Sequence, residues 1–192
     1  MPASIRTGWT LGRAVGLLAL LWGLWGITAA WAAGFEVIAA STKLEGGVYR
    51  LNASIEYHFS KPALEAMQNG VPLTVELEME VRRQRAWVWD EAVYTLTQRF
   101  KLEYHALSRQ YVVSNLNSGE RRGFPSQTTA LRFMGQINDF PFLDKGLLTS
   151  GQRYDGALRA RLDIESLPTP LRLFAYFSDD WRLASEWYTW PL

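Results

Sequence analysis

Hydrophobic and polar residues alternate with a period of two along several segments of the chain. Every second side chain is apolar in residues 48–59, and residues 73–82 alternate still more strictly, with glutamates in the polar row. Residues 94–104 and 154–165 repeat the pattern. Strict alternation is typical of strands with one buried face. We therefore predict four long strands and interpret the glutamate row as a solvated sheet face.

Turn residues and shorter apolar runs predict the remaining strands. Gly46-Gly47 is a turn signal, so residues 35–44 are predicted to form a hairpin with the strand that follows. Shorter strands are predicted at residues 110–114, 171–177 and 183–190.

Two segments have the spacing of helices instead. Ser60, followed by proline at position 62, predicts a capped short helix that ends near Asn69-Gly70. After Ser126, apolar residues recur at helical spacing, which predicts a helix over residues 127–137 with one apolar side on the sheet.

These elements predict an all-β fold. The expected architecture is an immunoglobulin-like antiparallel β-sandwich of roughly seven to nine strands with two short inserted helices. Residues 167–170, Leu-Pro-Thr-Pro, are predicted to form a stiff corner, because a residue that precedes proline is held extended. Without an internal repeat or a Pro/Gly/Ser-rich linker, residues 33–192 are predicted to form a single domain.

The N-terminal segment has the pattern of an export signal. Residues 14–35 are 22 consecutive uncharged residues, preceded by Arg6 and Arg13 and containing the small-x-small pattern Ala30-Trp31-Ala32. We predict that residues 1–32 form a signal peptide cleaved after Ala32, which gives a periplasmic protein. The alternative is an uncleaved anchor in the inner membrane formed by residues 14–35, since about 20 apolar residues can span a bilayer.

Composition narrows the classes of function. The chain has no cysteine, which excludes disulfides, thiol nucleophiles and thiolate metal sites. Removal of residues 1–32 leaves 18 basic and 19 acidic residues, so the formal charge changes from +1 to −1. We expect no nucleic-acid partner, because phosphate binding needs a basic excess or a basic face.

Residues 81–91, VRRQRAWVWDE, form the most unusual local cluster. Continued alternation would bury two arginines, which is costly unless they are paired, so a bulge or strand end is predicted near residues 83–86. One interpretation is a recognition surface for a small ligand or a glycan. The other is structural, with arginines paired to Asp90 or Glu91 and tryptophans closing one end of the sandwich. The candidate binding residues are Arg83, Arg85, Trp87, Trp89 and Asp90.

Candidate catalytic residues are few. His58 and His105 are not part of an HxH, HxxxH or HExxH pattern, and Ser108 is not in a GxSxG motif. We predict no metal site, no cofactor and no enzymatic activity. The alternative is a hydrolase, which would require His105, Ser108 and a carboxylate to converge in one pocket.

Six segments carry a family resemblance. In chain order they read ALEAMQNGVPLTVELEMEV, RAWVWDE, LEYHALSRQYVV, ALRFMGQI, RARLDIESLPTPLR and WRLASEWYTW. Together they resemble the bacterial domain-of-unknown-function family 4390 over about residues 35–190. The resemblance implies an exported protein with no assigned activity and no established catalytic residues. It also implies gene neighbours that resemble nitrogen-regulation-type sensor kinases, and therefore a link to envelope signalling.

These observations favour a periplasmic interaction or sensory module. Its expected partner is a membrane-bound envelope protein such as a sensor kinase, and contact with the membrane itself is expected only through an uncleaved leader. The alternative function is a small-ligand or glycan-binding domain that uses the cluster at residues 82–91.

Overall fold

The computed structural model describes residues 33–85 and 90–192. The predicted leader and residues 86–89, which include Trp87 and Trp89, lie outside the described residues. In chain order the strands and helices are β1 (Gly34–Glu45), β2 (Val48–His58), α1 (Lys61–Gln68), β3 (Leu73–Arg83), β4 (Glu91–His105), β5 (Gln110–Asn115), β6 (Arg121–Phe124), α2 (Gln127–Gly135), β7 (Gln136–Asp144), β8 (Tyr154–Leu162), α3 (Thr169–Phe177) and β9 (Tyr188–Pro191). No helix within the described ranges is long and apolar enough to cross a membrane.

The strands form two antiparallel sheets of unequal width. The smaller sheet has the order β1-β2-β7, and the larger has the order β6-β5-β4-β3-β8-β9. The prediction of an all-β antiparallel sandwich is confirmed. β3 lies in the middle of the larger sheet, with β4 on one side and β8 on the other.

The core lies between the two sheets and follows the alternation of the sequence. The inward row of β3, from Leu73 to Val81, is fully buried. From the smaller sheet, Leu51, Ala53 and Ile55 of β2 join the same cluster. Burial of such aliphatic side chains is the main favourable term in folding, at about 25 cal/mol per Å² of apolar surface.

Helices α1 and α2 begin where the sequence predicts. The Ser60 hydroxyl accepts a hydrogen bond from the backbone N–H of Ala63 at 3.3 Å, and Ser126 caps α2 in the same way through Thr129. Each cap satisfies a backbone N–H that has no partner within its helix.

Helix α2 ends at Gly135, two residues before the predicted end. A Cβ atom on Gly135 would lie 2.1 Å from the carbonyl oxygen of Ile55, so only glycine allows this approach to β2. Strand β7 then begins directly at Gln136. Neither β7 nor β6 was among the predicted strands.

The prediction of a strand at residues 171–177 is wrong, because this segment is helix α3. Pro170 lies in its first turn, where a missing N–H costs nothing, and the segment's apolar residues are contiguous instead of alternating. The strand predicted at residues 183–190 is also shorter. It begins only at Tyr188, and Ala184 makes an isolated bridge to Arg161.

The edges of the two sheets are short or irregular. In the smaller sheet, β1 has a register shift between Val37 and Ala39, and β7 contains Pro141 and the positive φ of Asp139. The edges of the larger sheet, β6 and β9, have four residues each. The longest uninterrupted pairing at an edge is that of β1 with β2, from Ala39 to Glu45.

Candidate functional site

The predicted arginine cluster lies at the end of β3 and in its connection to β4. The pairing of these strands shifts register between Val81 and Arg82, and β3 ends at Arg83. This irregularity agrees with the predicted bulge or strand end, although the register shift begins slightly earlier. Because β3 ends at Arg83, the alternation of inward and outward side chains does not continue to Arg85, and this arginine is not directed into the core.

Both candidate arginines are paired with a single carboxylate. The guanidinium groups of Arg83 and Arg85 each contact Oε2 of Glu91, the first residue of β4. The hydrogen bonds from these arginines, chiefly that from Arg83, hold the pKa of the Glu91 carboxyl below its ordinary value. The arrangement is a two-cation, one-anion cluster at the end of the hairpin.

Asp90 has a local structural contact. Its Oδ1 accepts a hydrogen bond from the backbone N–H of Arg85 at 3.3 Å, across the connection between the strands. The structure thus brings Arg83, Arg85 and Asp90 together around one connection. Trp87 and Trp89 lie outside the described residues, so their place in the candidate site stays a prediction.

A different tryptophan contacts the arginines of this region. The Cζ atom of Arg82 lies 4.4 Å from the ring centroid of Trp187, and that of Arg159 lies 4.6 Å from it. Cations this close to an indole ring are attracted by its negative face. Sequence reasoning missed this contact because Trp187 is about one hundred positions from Arg82, and no local pattern links them.

The prediction that the β3 glutamates form a solvated face is wrong for Glu76, which is only 5% exposed. In the strand register Glu76 lies opposite Arg99 of β4 and Arg161 of β8. The carboxylate oxygens lie 3.5 Å and 3.2 Å from those two guanidinium groups. The long arginine side chains extend over the carboxylate and shield it from solvent.

The same network continues to Glu78, which pairs with Arg159 at 2.5 Å and with Arg161 at 2.9 Å. Burial lowers the pKa of the Arg161 guanidinium, but attraction by Glu76 and Glu78 outweighs that effect and raises it above its ordinary value. The charges on the outer face of the sheet thus compensate one another across three strands. We call this set, Glu76, Glu78, Arg99, Arg159 and Arg161, the charged face.

The histidines and Ser108 occupy separate places. His58 Nε2 lies 3.5 Å from Glu56 Oε2, beside an open cavity of about 350 Å³ between β2 and α2. His105, at the end of β4, and Ser108, in the following turn, are both exposed. Within the described ranges, no group of three histidine or acidic residues has an arrangement that could hold a metal ion.

Among the described residues, α3 carries four of the ten large apolar side chains that are exposed. Leu173, Phe174 and Phe177 are 60%, 72% and 90% exposed, and Tyr176 beside them is also exposed. Only Ala175 of this helix is buried. The pattern of this segment predicted a strand, and this surface was therefore not among the candidate sites. We call Leu173, Phe174, Tyr176 and Phe177 the α3 surface.

The comparisons with known proteins support one assignment. A family model described as "Domain of unknown function (DUF4390)" matches residues 32–191. Neither a curated protein nor a solved structure gives a significant match to the chain. The resemblance found in the sequence is confirmed over nearly the whole described region.

Proposed function

The chain belongs to the domain-of-unknown-function family DUF4390, and on that basis we propose that it is a non-catalytic, exported interaction module that docks on a membrane-bound envelope protein. The docking site is the α3 surface. The observation that carries the proposal is the exposure of its apolar side chains, up to 90% at Phe177.

An apolar helix of this kind needs a partner to cover it. Apolar residues lie on the inner side of α3, at Ala175, and also on its outer side, at Leu173, Phe174 and Phe177. A helix that is apolar all round is typical of a buried position. Contiguous exposed apolar patches on monomeric proteins commonly mark interaction sites.

The segment that follows α3 links this helix to the first strand of the domain. Arg182 Nη2 donates a hydrogen bond to the carbonyl of Tyr176 at 3.0 Å, which ties the segment after α3 to its last turn. Two residues further on, the carbonyl of Ala184 lies 4.0 Å from where a Cβ on Gly34 would be. Residues 33 and 34 therefore enter the domain at the same end as α3.

The charges around α3 favour a protein over lipid. The helix and its flanks carry three acidic residues, Glu165, Asp179 and Asp180, and two basic residues, Arg172 and Arg182. The guanidinium of Arg172 lies 3.6 Å from the carboxylate of Glu165. The flank is therefore slightly acidic, and anionic lipid would repel it.

The area of the α3 surface argues against self-association as the sole explanation. Aromatic side chains of this size bury about 150–250 Å² each, so the α3 surface exposes about 500 Å². A specific interface needs about 800 Å² from each partner. Further contacts from a larger partner would have to complete the interface.

Site-specific photocrosslinking in the envelope tests the proposal. A photoreactive amino acid at Phe174 should give an adduct with one membrane-bound protein, and the same group at the exposed Leu116 should not. Adding Leu173→Gln and Phe177→Gln should remove the Phe174 adduct. Adducts only with lipid or with a second copy of the chain would refute it, as would an adduct that persists in the double variant.

A second candidate function is the binding of a small ligand or glycan near residues 82–91. It is favoured by the two guanidinium groups that lie over Trp187, at 4.4 Å and 4.6 Å from its ring centroid. An indole ring with adjacent cations is a surface suited to sugars and to anionic groups. Arg83, Arg85 and Asp90 lie at the adjacent end of the hairpin, and Trp87 and Trp89 remain predicted members of the site.

Tryptophan fluorescence titration against a panel of envelope glycans tests this second function. A saturable change should occur in the wild type and be lost in Trp187→Phe, while Trp181→Phe, which alters a buried tryptophan, should keep it. Equal responses in both variants would count against a site at Trp187.

A further inference from the structure

The unequal widths of the two sheets leave an opening in the sandwich. Three strands cannot cover six, and beyond β7 the inner face of the larger sheet is covered by α2. Between β7 and β4 a cleft of about 260 Å³ remains. An apolar cavity of about 150 Å³ is enough to hold a benzene molecule, so this cleft is large enough for a small ligand.

The walls of the cleft are mostly apolar. Leu77 of β3 forms part of the floor, Phe100 and Phe140 come from the two facing strands, and Phe133 and Ile137 close it at the end of α2. Phe133 is held in place by Phe124, with ring centroids 5.0 Å apart. Aromatic and aliphatic walls of this kind are typical of small-molecule sites.

Five polar residues also line the cleft: Gln98, Asn115, Glu120, Gln136 and Asn138. Gln98 of β4 lies directly opposite Leu77 of β3. Its side chain is on the same side of β4 as those of Leu96 and Phe100, so it belongs to the inward row and lines the cleft. Within the described ranges no hydrogen bond to this side-chain amide is found. Gln98 is half-buried, so water still reaches this side chain, and a ligand that bonds the amide in place of water would be preferred over a hydrocarbon.

The rim of the cleft is polar but has little net charge. Asn115 and Glu120 lie on it, and Glu120 pairs with Arg122 at 3.1 Å. Because that pair neutralises the carboxylate, the rim favours a neutral polar head over a charged one.

We propose that the cleft between β4 and β7 is a binding site for a small neutral amphiphile, with an apolar body of about eight carbons and a hydrogen-bonding head that meets Gln98. This site is separate from the α3 surface and does not depend on the function proposed for it.

Calorimetric titration of the full chain with linear primary amides tests the proposal. Amides of increasing length should bind one site per chain, about fourfold more tightly for each added methylene until the cleft is full. All variants keep residues 1–32, so any partitioning of the amides into that apolar segment is the same in each of them. Ile137→Phe should weaken binding at least tenfold by filling the cleft, and Leu44→Phe, which adds the same ring on exposed β1, should not.

A second variant keeps the test decisive if Ile137→Phe fails to fold. Gln98→Leu should weaken amide binding about tenfold and strengthen binding of propylbenzene, which has nine carbons but no polar head. Unsaturable binding that is equal in the wild type, Ile137→Phe and Leu44→Phe overturns the proposal. Unchanged selectivity in Gln98→Leu overturns the role of the amide.

Discussion

Helices α2 and α3 have nine residues each, yet they relate to the domain in opposite ways. Helix α2 buries Ala130, Met134 and Gly135, and its N-terminus is capped by Ser126. Helix α3 buries only Ala175 and has no side-chain cap. The first helix completes the core, whereas the second adds little to it.

The difference lies in how apolar residues are distributed around each helix. In α2 they lie on one side, and that side meets β2, β5, β6 and β7. In α3 they lie on both sides, and the outer side is exposed. Apolar residues that contribute little to folding are best explained by an interaction outside the domain. The following substitutions test this division, from the largest expected effect to the smallest.

Met134→Ala should lower the free energy of unfolding by about 3 kcal/mol, because truncating a buried side chain removes apolar contacts and leaves a cavity. Met134 is 1% exposed. The matched truncation in α3, Leu173→Ala, should change the free energy of unfolding by less than about 0.5 kcal/mol. Urea unfolding followed by tryptophan fluorescence measures both, and equal losses would erase the distinction between the helices.

Gly135→Ala should cost about 2 kcal/mol, since the added methyl group would force α2 away from the Ile55 carbonyl. The control is Gly123→Ala in β6, where the new Cβ would meet only the flexible side chain of Gln110, at 3.2 Å. If the two alanine variants have the same unfolding midpoint, the close approach of α2 to β2 is not essential.

Ser126→Ala should cost about 1 kcal/mol, because the backbone N–H of Thr129 loses its acceptor. Ser126→Asp keeps an acceptor at this position and should restore most of the loss. Thermal unfolding distinguishes the two variants. A stability unchanged by Ser126→Ala would show that packing alone holds the start of α2.

The double variant Leu173→Gln/Phe177→Gln should change the free energy of unfolding by less than about 0.5 kcal/mol, since both side chains are exposed and glutamine is a good helix former. It should nevertheless abolish the partner adduct at Phe174. A large loss of stability in urea would instead assign the α3 surface to folding.

Much of the fold could be predicted from alternation. Strands β2 and β3 were predictable because their inward rows are apolar over at least nine residues, and β4 was predictable although Gln98 interrupts its inward row. Strand β6 has only four residues, and β7 starts without a turn after α2 and contains Pro141, so neither carries a clear period-two signal. Segment 171–177 is a short apolar run, and such a run does not distinguish a strand from a helix.

The candidate site was less predictable, because its contacts are between distant strands. The pairing of Arg83 and Arg85 with Glu91 was among the predicted alternatives, since these residues are close in sequence. The burial of Glu76 depends on β8 lying next to β3, which alternation alone does not reveal. The contact of Arg82 with Trp187 is non-local in the same way.

The irregular edges of the two sheets determine how this protein can associate. Strand edges with free N–H and C=O groups are templates for pairing between chains. In the sheets that the structure describes, β6 and β9 are short and Pro141 interrupts β7, so the only longer regular edge segment is Ala39 to Glu45 of β1. The short and interrupted edges discourage fibril-like stacking when many copies are crowded together. They leave recognition to side chains, which can discriminate between partners in a way that backbone groups common to all proteins do not.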